Sequence, residues 1–171
     1  NSLLNDDKKY LDTYWSRFND VWFHGDYVLQ DEDGLWYMHG RVDDVINISG
    51  HRLSTAEIEQ TIISHPKISD AASVSIPDEI KGEAIIVFVV LENNEKNNSI
   101  EEEIKQFVAE QIGKVALPNR VLVLSDLPKT RTGKIMRRLL KAKILGNDLG
   151  DYSSLENPQV LDEIPNLAKE S

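Results

Sequence analysis

The chain has 171 residues, of which 40% are hydrophobic and 28% charged, enough to bury the core of one domain. It contains no Cys, which excludes disulfide bonds, a Cys nucleophile and Cys-ligated metal sites. The net charge of −10 argues against general nucleic-acid binding. The longest uninterrupted apolar run, residues 84–91, is far shorter than the ~20 residues of a membrane-spanning helix.

The charge is unevenly distributed along the chain. Residues 1–34 hold eight acidic and three basic side chains, and residues 147–171 hold six acidic and one basic. Residues 128–143 carry seven Lys or Arg and no acidic residue. This basic stretch has no interleaved aromatic side chains on which bases could stack, so we do not expect it to bind nucleic acid.

The first part of the chain predicts a short helix and a hairpin. Residues 8–14 are polar and compatible with a helix, and a cluster of aromatic residues follows. Two short apolar runs, residues 28–29 and 35–38, flank an acidic turn that ends at Gly34, which is typical of a β-hairpin. So many aromatic side chains need a surface to pack on, and the rest of the chain does not obviously supply it.

The middle of the chain predicts strands and one helix. We expect Val45–Ile48 to be a strand, followed by a turn and by a helix that begins with a capping box at Ser54 and ends before Pro66. Residues 72–76 alternate between apolar and polar, as in a half-buried strand. Residues 84–91 are continuously apolar, the pattern of a strand buried on both faces.

The last part adds two helices and a strand. A second capping box at Ser99 opens a helix that ends at Gly113, a strand covers residues 121–124, and a helix with one basic face covers residues 135–144. From residue 147 the chain is polar, with weak helical potential at 160–164. The order of elements predicts an α+β fold (an α/β sandwich): a small three-stranded sheet with flanking helices, preceded by a short β-hairpin.

Lys134 is the first candidate for chemistry. It follows Gly133 in a polar loop directly before a helix, and the loop also contains Thr130 and Thr132. A lysine presented in this way is a mobile positive charge suited to a phosphate or a carboxylate. The loop is not a Walker A motif, since Pro stands at position 128 and Ile at 135. The alternative is a solvated basic helix preceded by an ordinary turn.

A second group of candidates lies near the junction between the hairpin and the α+β part of the chain. Arg41 and Arg52 could bind phosphates or ribose hydroxyls. Asp43 and Asp44 are adjacent, so in a strand they would point to opposite faces and could not act as a carboxylate pair. Asp26 is either a turn residue or a carboxylate that binds ribose. A hairpin with charged edges explains the same residues without any function.

The four histidines do not have the spacing of a metal site. His65 precedes Pro66 at the expected end of a helix, where an imidazole stabilises the last carbonyl groups through the helix dipole. On the residues alone, that role is favoured over a catalytic one.

Taken together, the motifs resemble AMP-forming acetyl-CoA synthetase, a short-chain acyl-CoA synthetase of the adenylate-forming superfamily. The resemblance rests on residues 40–53 (GRVDDVINISGHRL) and 128–138 (PKTRTGKIMRR). It extends through residues 23–26 (FHGD), 76–82 (IPDEIKG) and 149–155 (LGDYSSL). The family activates a carboxylate with ATP to an acyl-adenylate, releases pyrophosphate and transfers the acyl group to CoA.

The resemblance implies a role for each matching residue. Lys134 corresponds to the lysine that stabilises the adenylation transition state by neutralising the carboxylate oxygen and the α-phosphate. Asp26 corresponds to the carboxylate that binds the ribose hydroxyls. Arg41 and Arg52 correspond to further ATP-binding residues. Asp43 corresponds to the hinge about which the C-terminal domain rotates between the two half-reactions.

The remaining correspondences concern CoA and a metal ion. Ser49 and Gly50 match the turn that lines the CoA tunnel, where a side chain at position 50 would block pantetheine. His65, with the carbonyl groups of Ile63 and Ile68, matches a reported Mg²⁺ site, although one imidazole and two carbonyls suit Mg²⁺ poorly. A basic residue that contacts the CoA phosphate in some members is replaced here, near Ala109, by the sequence VAEQ.

The resemblance also implies how the chain is divided and what it meets. Residues 1–42 would be the trailing edge of a large N-terminal adenylation domain, residues 43–146 the mobile C-terminal domain and residues 147–171 a polar tail. The implied partners are the missing domain, ATP, CoA and acetate or propionate, in the cytoplasm, with neither nucleic acid nor membrane. An exposed Lys134 would also be open to a lysine acetyltransferase and a deacetylase.

Two alternatives stay open at this point. The chain, which does not begin with Met, is expected to be a fragment that is inactive alone, because it contains neither a phosphate-binding loop nor an acyl pocket. It could instead be a stand-alone binding or regulatory module that keeps the same fold without the chemistry.

Overall fold

The computed structural model describes residue 4 and residues 6–42, 45–93 and 99–169, apart from the side chains of His39 and Lys169. The chain forms two units, Asn1–Asp43 and Asp44–Ser171, and each is considered by itself. Asp43, the expected hinge, and its neighbour Asp44 lie outside the described residues. None of the described helices is long and apolar enough to cross a membrane.

The first unit contains one helix and the predicted hairpin. Helix α1 covers Asp7–Tyr14, and Asp6 caps it by accepting a hydrogen bond from the backbone N–H of Lys9 at 3.1 Å. Strands β1 (Asp26–Gln30) and β2 (Trp36–Arg41) pair antiparallel. The turn between them is held by Asp31, whose side chain accepts hydrogen bonds from the backbone of Asp33 and Leu35.

This first unit buries little of its apolar surface. Helix α1 contains no buried residue, and Trp22 and Trp36 are 47% and 68% exposed. The aromatic rings contact one another instead, as where Tyr14 stacks on Trp22 with 5.6 Å between ring centroids. A β-hairpin and a two-turn helix are too small to enclose these side chains, and such pieces are at best marginally stable alone.

The second unit is built on a three-stranded sheet. Its strands and helices are β3 (Val45–Ile48), β4 (His51–Ser54), α2 (Thr55–Ile63), β5 (Ile68–Asp78), β6 (Gly82–Leu91), α3 (Ile100–Gln111), β7 (Arg120–Leu124) and α4 (Arg137–Leu145). The sheet order is β5-β6-β7, with β5 and β6 antiparallel and β6 and β7 parallel, while β3 and β4 form a separate hairpin. The predicted α+β fold is confirmed.

The central strand β6 explains the continuous apolar run in the sequence. Alternate residues point to opposite faces of a strand. Ile85, Val87 and Val89 join one core cluster with residues of α2 and α3. Ile86 and Phe88 join the other with residues of α4 and of the C-terminal end. Both faces are covered, as predicted, which explains why residues 84–91 of this strand are all apolar.

Several element boundaries differ from the prediction. Strand β4 was not predicted, because Leu53 is the one apolar residue among its four and the sequence therefore shows no alternation. Strand β5 is longer than expected and includes Pro77, which an edge strand tolerates because one side of it needs no hydrogen-bond donor. Helix α4 begins at Arg137 rather than at Ile135, since Ile135 forms an isolated β-bridge with Lys129.

Both predicted capping boxes are wrong in their hydrogen bonds. Ser54 and Ser99 occupy the N-cap positions of α2 and α3, but neither makes a side-chain capping hydrogen bond. Ser99 has φ −97° and ψ −2°, a helical conformation rather than the extended one of a capping serine. Ser54 is also the last residue of β4, where it pairs with Val45.

The C-terminal segment, residues 147–169, is polar in composition as predicted, yet it contributes to the core. A 3-10 helix at Pro158–Glu163 buries Val160 and Leu161, and Ile164 follows at 5% exposure. Leu161 and Ile164 belong to the cluster that contains Phe88. The weak helical potential predicted at residues 160–164 corresponds to this 3-10 helix, but it did not indicate that the segment packs into the core.

Candidate active site

Lys134 lies in a tight turn that we call the lysine loop, residues 129–135. The N–H of Gly133 donates to the Thr130 carbonyl at 2.8 Å, and the N–H of Thr130 donates to the Lys134 carbonyl at 2.9 Å. Gly133 has φ +79°, a backbone conformation that residues other than Gly rarely adopt. The Thr130 hydroxyl also accepts a hydrogen bond from the N–H of Lys134 at 3.2 Å. The turn is therefore closed by its own hydrogen bonds.

The Lys134 side chain is exposed at the end of this turn. Among the described residues, nothing accepts a hydrogen bond from its ammonium group or pairs with it. Several other basic residues of the same stretch do have partners. Arg138 donates to the carbonyl groups of Leu149 and Asp151, and Lys129 pairs with Asp70 and Asp126. The charge of Lys134 is thus available to a ligand.

A partly buried ion pair anchors the chain directly after the lysine loop. Arg137 binds Glu59 through two hydrogen bonds, Nε to Oε1 at 2.9 Å and Nη2 to Oε2 at 2.6 Å. Glu59 is only 6% exposed, and it also accepts a hydrogen bond from the N–H of Ser73 at 2.7 Å. The pair therefore ties α2, β5 and the start of α4 together. Parallel hydrogen bonds between Arg and a carboxylate fix both distance and orientation.

Two carboxylates anchor the chain at the start of the lysine loop. The Lys129 ammonium lies 2.8 Å from Asp70 and 3.1 Å from Asp126. The hydrogen bond to Asp70, reinforced by Asp126, holds the pKa of Lys129 above its ordinary value against the opposing effect of burial. Burial acts to raise the pKa of Asp126, but hydrogen bonds from Lys129 and the Leu127 N–H outweigh it and lower this pKa.

The expected CoA-side residues form the tip of the β3–β4 hairpin. Ser49 and Gly50 have φ of +49° and +84°, as in the type I′ turns that join two-residue hairpins. The N–H of Ser49 donates to the Lys81 carbonyl at 3.0 Å. A Cβ atom on Gly50 would meet nothing within 4 Å, so the glycine is needed for its backbone angle and the tip borders open space.

Arg52 lies on β4, opposite Asn47, and is exposed. Its guanidinium has no hydrogen bond or ion pair to any residue that the structure describes. Below it, Ile46, Ile48 and Leu53 are buried and fix the hairpin to the core. Glu83 adds a bond by accepting from the N–H of Asn47 at 2.5 Å.

The lysine loop and the hairpin tip are attached to opposite ends of β5. The loop is tied to Asp70, near the start of this strand, and the tip is bonded to Lys81, just beyond the end of the strand at Asp78. From Asp70 to Asp78 the strand extends about 26 Å, at ~3.3 Å per residue. The structure does not bring Lys134 together with Ser49 and Gly50.

In the first unit, Asp26 and Arg41 are cross-strand partners. Arg41 Nη1 lies 4.0 Å from the Asp26 carboxylate and 3.5 Å from the His24 carbonyl. The His24 ring contacts the Asp26 carboxylate through Nδ1. Gly25 separates the two at φ +89°, where a Cβ atom would lie 2.9 Å from Arg41 Nη2. Sequence reasoning found Asp26 and Arg41 as separate candidates but missed His24.

His65 does not fit the expected metal site. The imidazole is buried, its Nδ1 accepts a hydrogen bond from the Lys67 N–H at 3.3 Å, and its Nε2 lies 3.4 Å from Glu103. Both ring nitrogens are therefore engaged, and the ring also packs edge-on against Phe107. The remaining donors, the carbonyl groups of Ile63 and Ile68, are neutral and few for Mg²⁺. The described residues around His65 therefore do not fit Mg²⁺.

The comparisons with known proteins bear on these segments directly. Residues 57–134 match the family model described as AMP-binding enzyme C-terminal domain, a range that ends at Lys134. Residues 57–134 are therefore similar to the C-terminal domain of AMP-binding enzymes. The match begins within α2 and includes the sheet, α3 and the lysine loop.

Similar proteins support the same conclusion. The chain is 43% identical to an acetyl-coenzyme A synthetase from Methanothrix soehngenii over 97% of its length and 47% identical to one from Gamma-proteobacterium EBAC31A08 over 95%. It spans about a quarter (26%) of the length of either relative. An anthranilate CoA ligase, AuaEII, solved in complex with anthranoyl-AMP, superimposes with a TM-score of 0.66 at 27% identity, over 79% of this chain and 25% of that one. The predicted resemblance is confirmed.

Sequence reasoning overlooked residues that position the lysine loop rather than form part of it. Glu59 and Arg137 are 78 positions apart in the chain, and Asn157 and Lys129 are 28 apart. No short motif contains both members of either pair. The one available signal was Glu59 itself, an acidic residue one position after the buried Ile58 on the otherwise apolar side of α2.

Proposed function

We propose that this chain is the C-terminal part of an AMP-forming acetyl- or propionyl-CoA synthetase, an acid–thiol ligase. Such an enzyme activates a short carboxylate with ATP and transfers the acyl group to CoA in the cytoplasm, where both cosubstrates are available. The observation that carries the proposal is the ammonium group of Lys134, which has no partner among the described residues and is held on a closed turn in a chain closely similar to acetyl-CoA synthetases.

In the first half-reaction, Lys134 would act on the developing charge of adenylation. The carboxylate attacks the α-phosphorus of ATP in line, and pyrophosphate leaves. Negative charge accumulates on the oxygens of the α-phosphate, where a preorganised cation is most effective. Mg²⁺ would arrive bound to ATP rather than at His65, whose ring nitrogens both have partners.

Each unit, taken by itself, also offers side chains suited to a nucleotide. Asp26, with the Arg41 guanidinium beside it, offers a carboxylate for the ribose hydroxyls, and the exposed Arg52 offers a cation for phosphate oxygens. The acyl-binding pocket, and with it the choice between acetate and propionate, would belong to the N-terminal domain with which this chain acts.

In the second half-reaction, the hairpin tip would take the place of the lysine loop. The two segments are attached to opposite ends of β5, so they cannot serve one substrate from a single orientation of the domain. We propose that the domain turns about Asp43 between the half-reactions. Gly50 would then leave room for the pantetheine arm, since the tip borders open space.

A test in trans distinguishes this function from a non-catalytic module. The chain is mixed with the N-terminal domain of an acetyl-CoA synthetase, and pyrophosphate release is measured with ATP and acetate. We expect release that requires both parts and that disappears with the Lys134→Ala chain. A mixture as inactive as either part alone, with the two parts shown to associate, would favour a binding or regulatory module.

The exposure of Lys134 would allow regulation by acetylation. An acetyl group would remove the charge that adenylation requires and leave the turn intact. We propose that a lysine acetyltransferase and a deacetylase act at this position. Mass spectrometry of the protein isolated from cells with excess acetyl-CoA should find the modification at Lys134. A finding of unmodified Lys134 would contradict it.

A further inference from the structure

The C-terminal segment forms one side of the lysine loop. The first residues of the loop lie between two extended neighbours: Lys129 forms a bridge with Ile135 on one side, and Thr130 forms a bridge with Leu155 on the other. The N–H of Glu156 donates to the Lys129 carbonyl at 2.9 Å. Residues 129–130 are therefore the middle member of three extended pieces of chain, with Ile135 on one side and Leu155 on the other.

Asn157 completes this contact with all of its side-chain polar atoms. Its Oδ1 accepts a hydrogen bond from the Lys129 N–H at 3.1 Å. Its Nδ2 donates to the Leu127 carbonyl at 2.8 Å and to the Asp126 carboxylate at 2.9 Å. An amide side chain offers one acceptor and two donors, so these three bonds match what asparagine provides. Both backbone polar groups of Lys129 are thus satisfied by residues 156 and 157.

The internal hydrogen bonds of the lysine loop do not fix its orientation. They join residues of the turn to one another, so the turn moves as one piece with the two chain segments that support it. Arg137 and Glu59 hold the segment that leaves the turn. Among the described residues, the backbone groups of the entering segment at Lys129 are held only by the C-terminal segment.

We infer that Asn157 is a positioning residue for Lys134, which rests on the proposed role of that lysine in adenylation. Asn157 does not contact the substrate. It fixes the position of the turn that carries Lys134. A misplacement of ~1 Å in a reacting group costs on the order of 100-fold in rate. Three hydrogen bonds that prevent such a shift would therefore have a measurable effect on the rate of adenylation.

Limited proteolysis of the full 171-residue chain tests the brace without any activity. Trypsin cleavage after Arg131 and Lys134 is followed by mass spectrometry and divided by the rate after Lys114, an exposed site outside the loop. We expect Asn157→Ala to raise this ratio about fivefold or more, the factor that corresponds to ~1 kcal/mol. Asn157→Asp should do the same, because a carboxylate has no donor for the Leu127 carbonyl and faces Asp126.

The control variant is Asn147→Ala, since Asn147 is exposed and its side chain has no hydrogen bond to the described residues. It should leave the ratio unchanged. A variant that unfolds globally is cleaved faster at all three sites, including Lys114, so its ratio stays near that of the natural chain. An unchanged ratio in the folded Asn157→Ala chain overturns the inference.

Activity then separates positioning from general stability. In the complete protein, Asn157→Ala should lower kcat for adenylation about tenfold, with KM for ATP within about twofold, and spare thioester formation from supplied acyl-adenylate. Equal loss in both half-reactions would show a merely structural role and contradict the inference. If Lys134→Ala leaves adenylation intact, the proposed function fails, whereas the cleavage ratio still decides whether Asn157 braces the loop.

Discussion

The lysine loop and the hairpin tip are both tight turns that need glycine at positive φ, but they are supported very differently. The loop is held by the Glu59–Arg137 pair, by the carboxylates around Lys129 and by Asn157. The tip is bonded through one backbone hydrogen bond to Lys81, and space is open beyond Gly50.

This difference indicates two kinds of task. A charge that stabilises a transition state has to be held in place, because its effect depends on preorganisation. A turn that borders a passage needs little support, because its contribution is the absence of a side chain. The four predictions below test this contrast, from the largest expected effect to the smallest.

Replacing Lys134 by Ala should have the largest effect. In the complete protein we expect adenylation to fall by about 100- to 1,000-fold, as when one stabilising group for developing negative charge is removed. Thioester formation from supplied acyl-adenylate should change less than about twofold. Arg131→Ala is the matched control, since it removes the same charge from the same turn. Equal loss in both half-reactions would contradict the role of Lys134.

Removing Arg137 should destabilise the folded chain. Arg137→Ala leaves the buried Glu59 carboxylate without its cation, which typically costs about 3–5 kcal/mol. Urea unfolding measures the loss, and Lys143→Ala, on the same helix, should change the free energy of unfolding by less than about 0.5 kcal/mol. A loss as small for Arg137→Ala would show that the lysine loop is not supported from this side.

Substituting Gly50 should affect thioester formation and leave adenylation nearly unchanged. Gly50→Leu adds about 1–2 kcal/mol of backbone strain at φ +84°, but no described atom lies where its Cβ would stand. We expect thioester formation to fall about tenfold or more and adenylation to stay within about twofold. Gly50→Asn, which tolerates this φ better, reports the effect of a side chain with less strain. Unchanged CoA transfer in both variants would contradict the tunnel assignment.

The ion pairs of Lys129 should give the smallest effect, which is present over most of the pH range and is lost only at extreme pH. Because the pKa of Lys129 is raised, its contribution is present below about 10.5 and is lost as the pH rises through the raised value. Because the pKa of Asp126 is lowered, its contribution is present above about 3.8 and is lost as the pH falls through the lowered value.

Urea unfolding of the natural chain and of Lys129→Met measures this contribution. The difference in unfolding free energy should be below about 1 kcal/mol and constant between these limits, since the groups are partly exposed. It should shrink on both sides of the window. A difference that stays constant at pH 11 would show that the ammonium group does not brace the loop.

Much of the fold and of the site could be read from the sequence. The unbroken apolar run of β6 predicted a strand covered on both faces, and Gly133 followed by Lys134 predicted a lysine presented on a turn. Strand β4 contains a single apolar residue and so shows no alternation. The weak helical potential at residues 160–164 did not indicate that Val160 and Leu161 are buried, because so few residues do not define an apolar face.

The sequence alone determined which residues carry charge or need a special backbone angle, because those are properties of single side chains and of their neighbours in the chain. The tertiary structure decided which charged side chains already have a partner. Lys129, Arg137 and Arg138 have partners far away in sequence, while Lys134 has none among the described residues. Pairing depends on distances in space between residues remote in sequence, which only the packed fold sets.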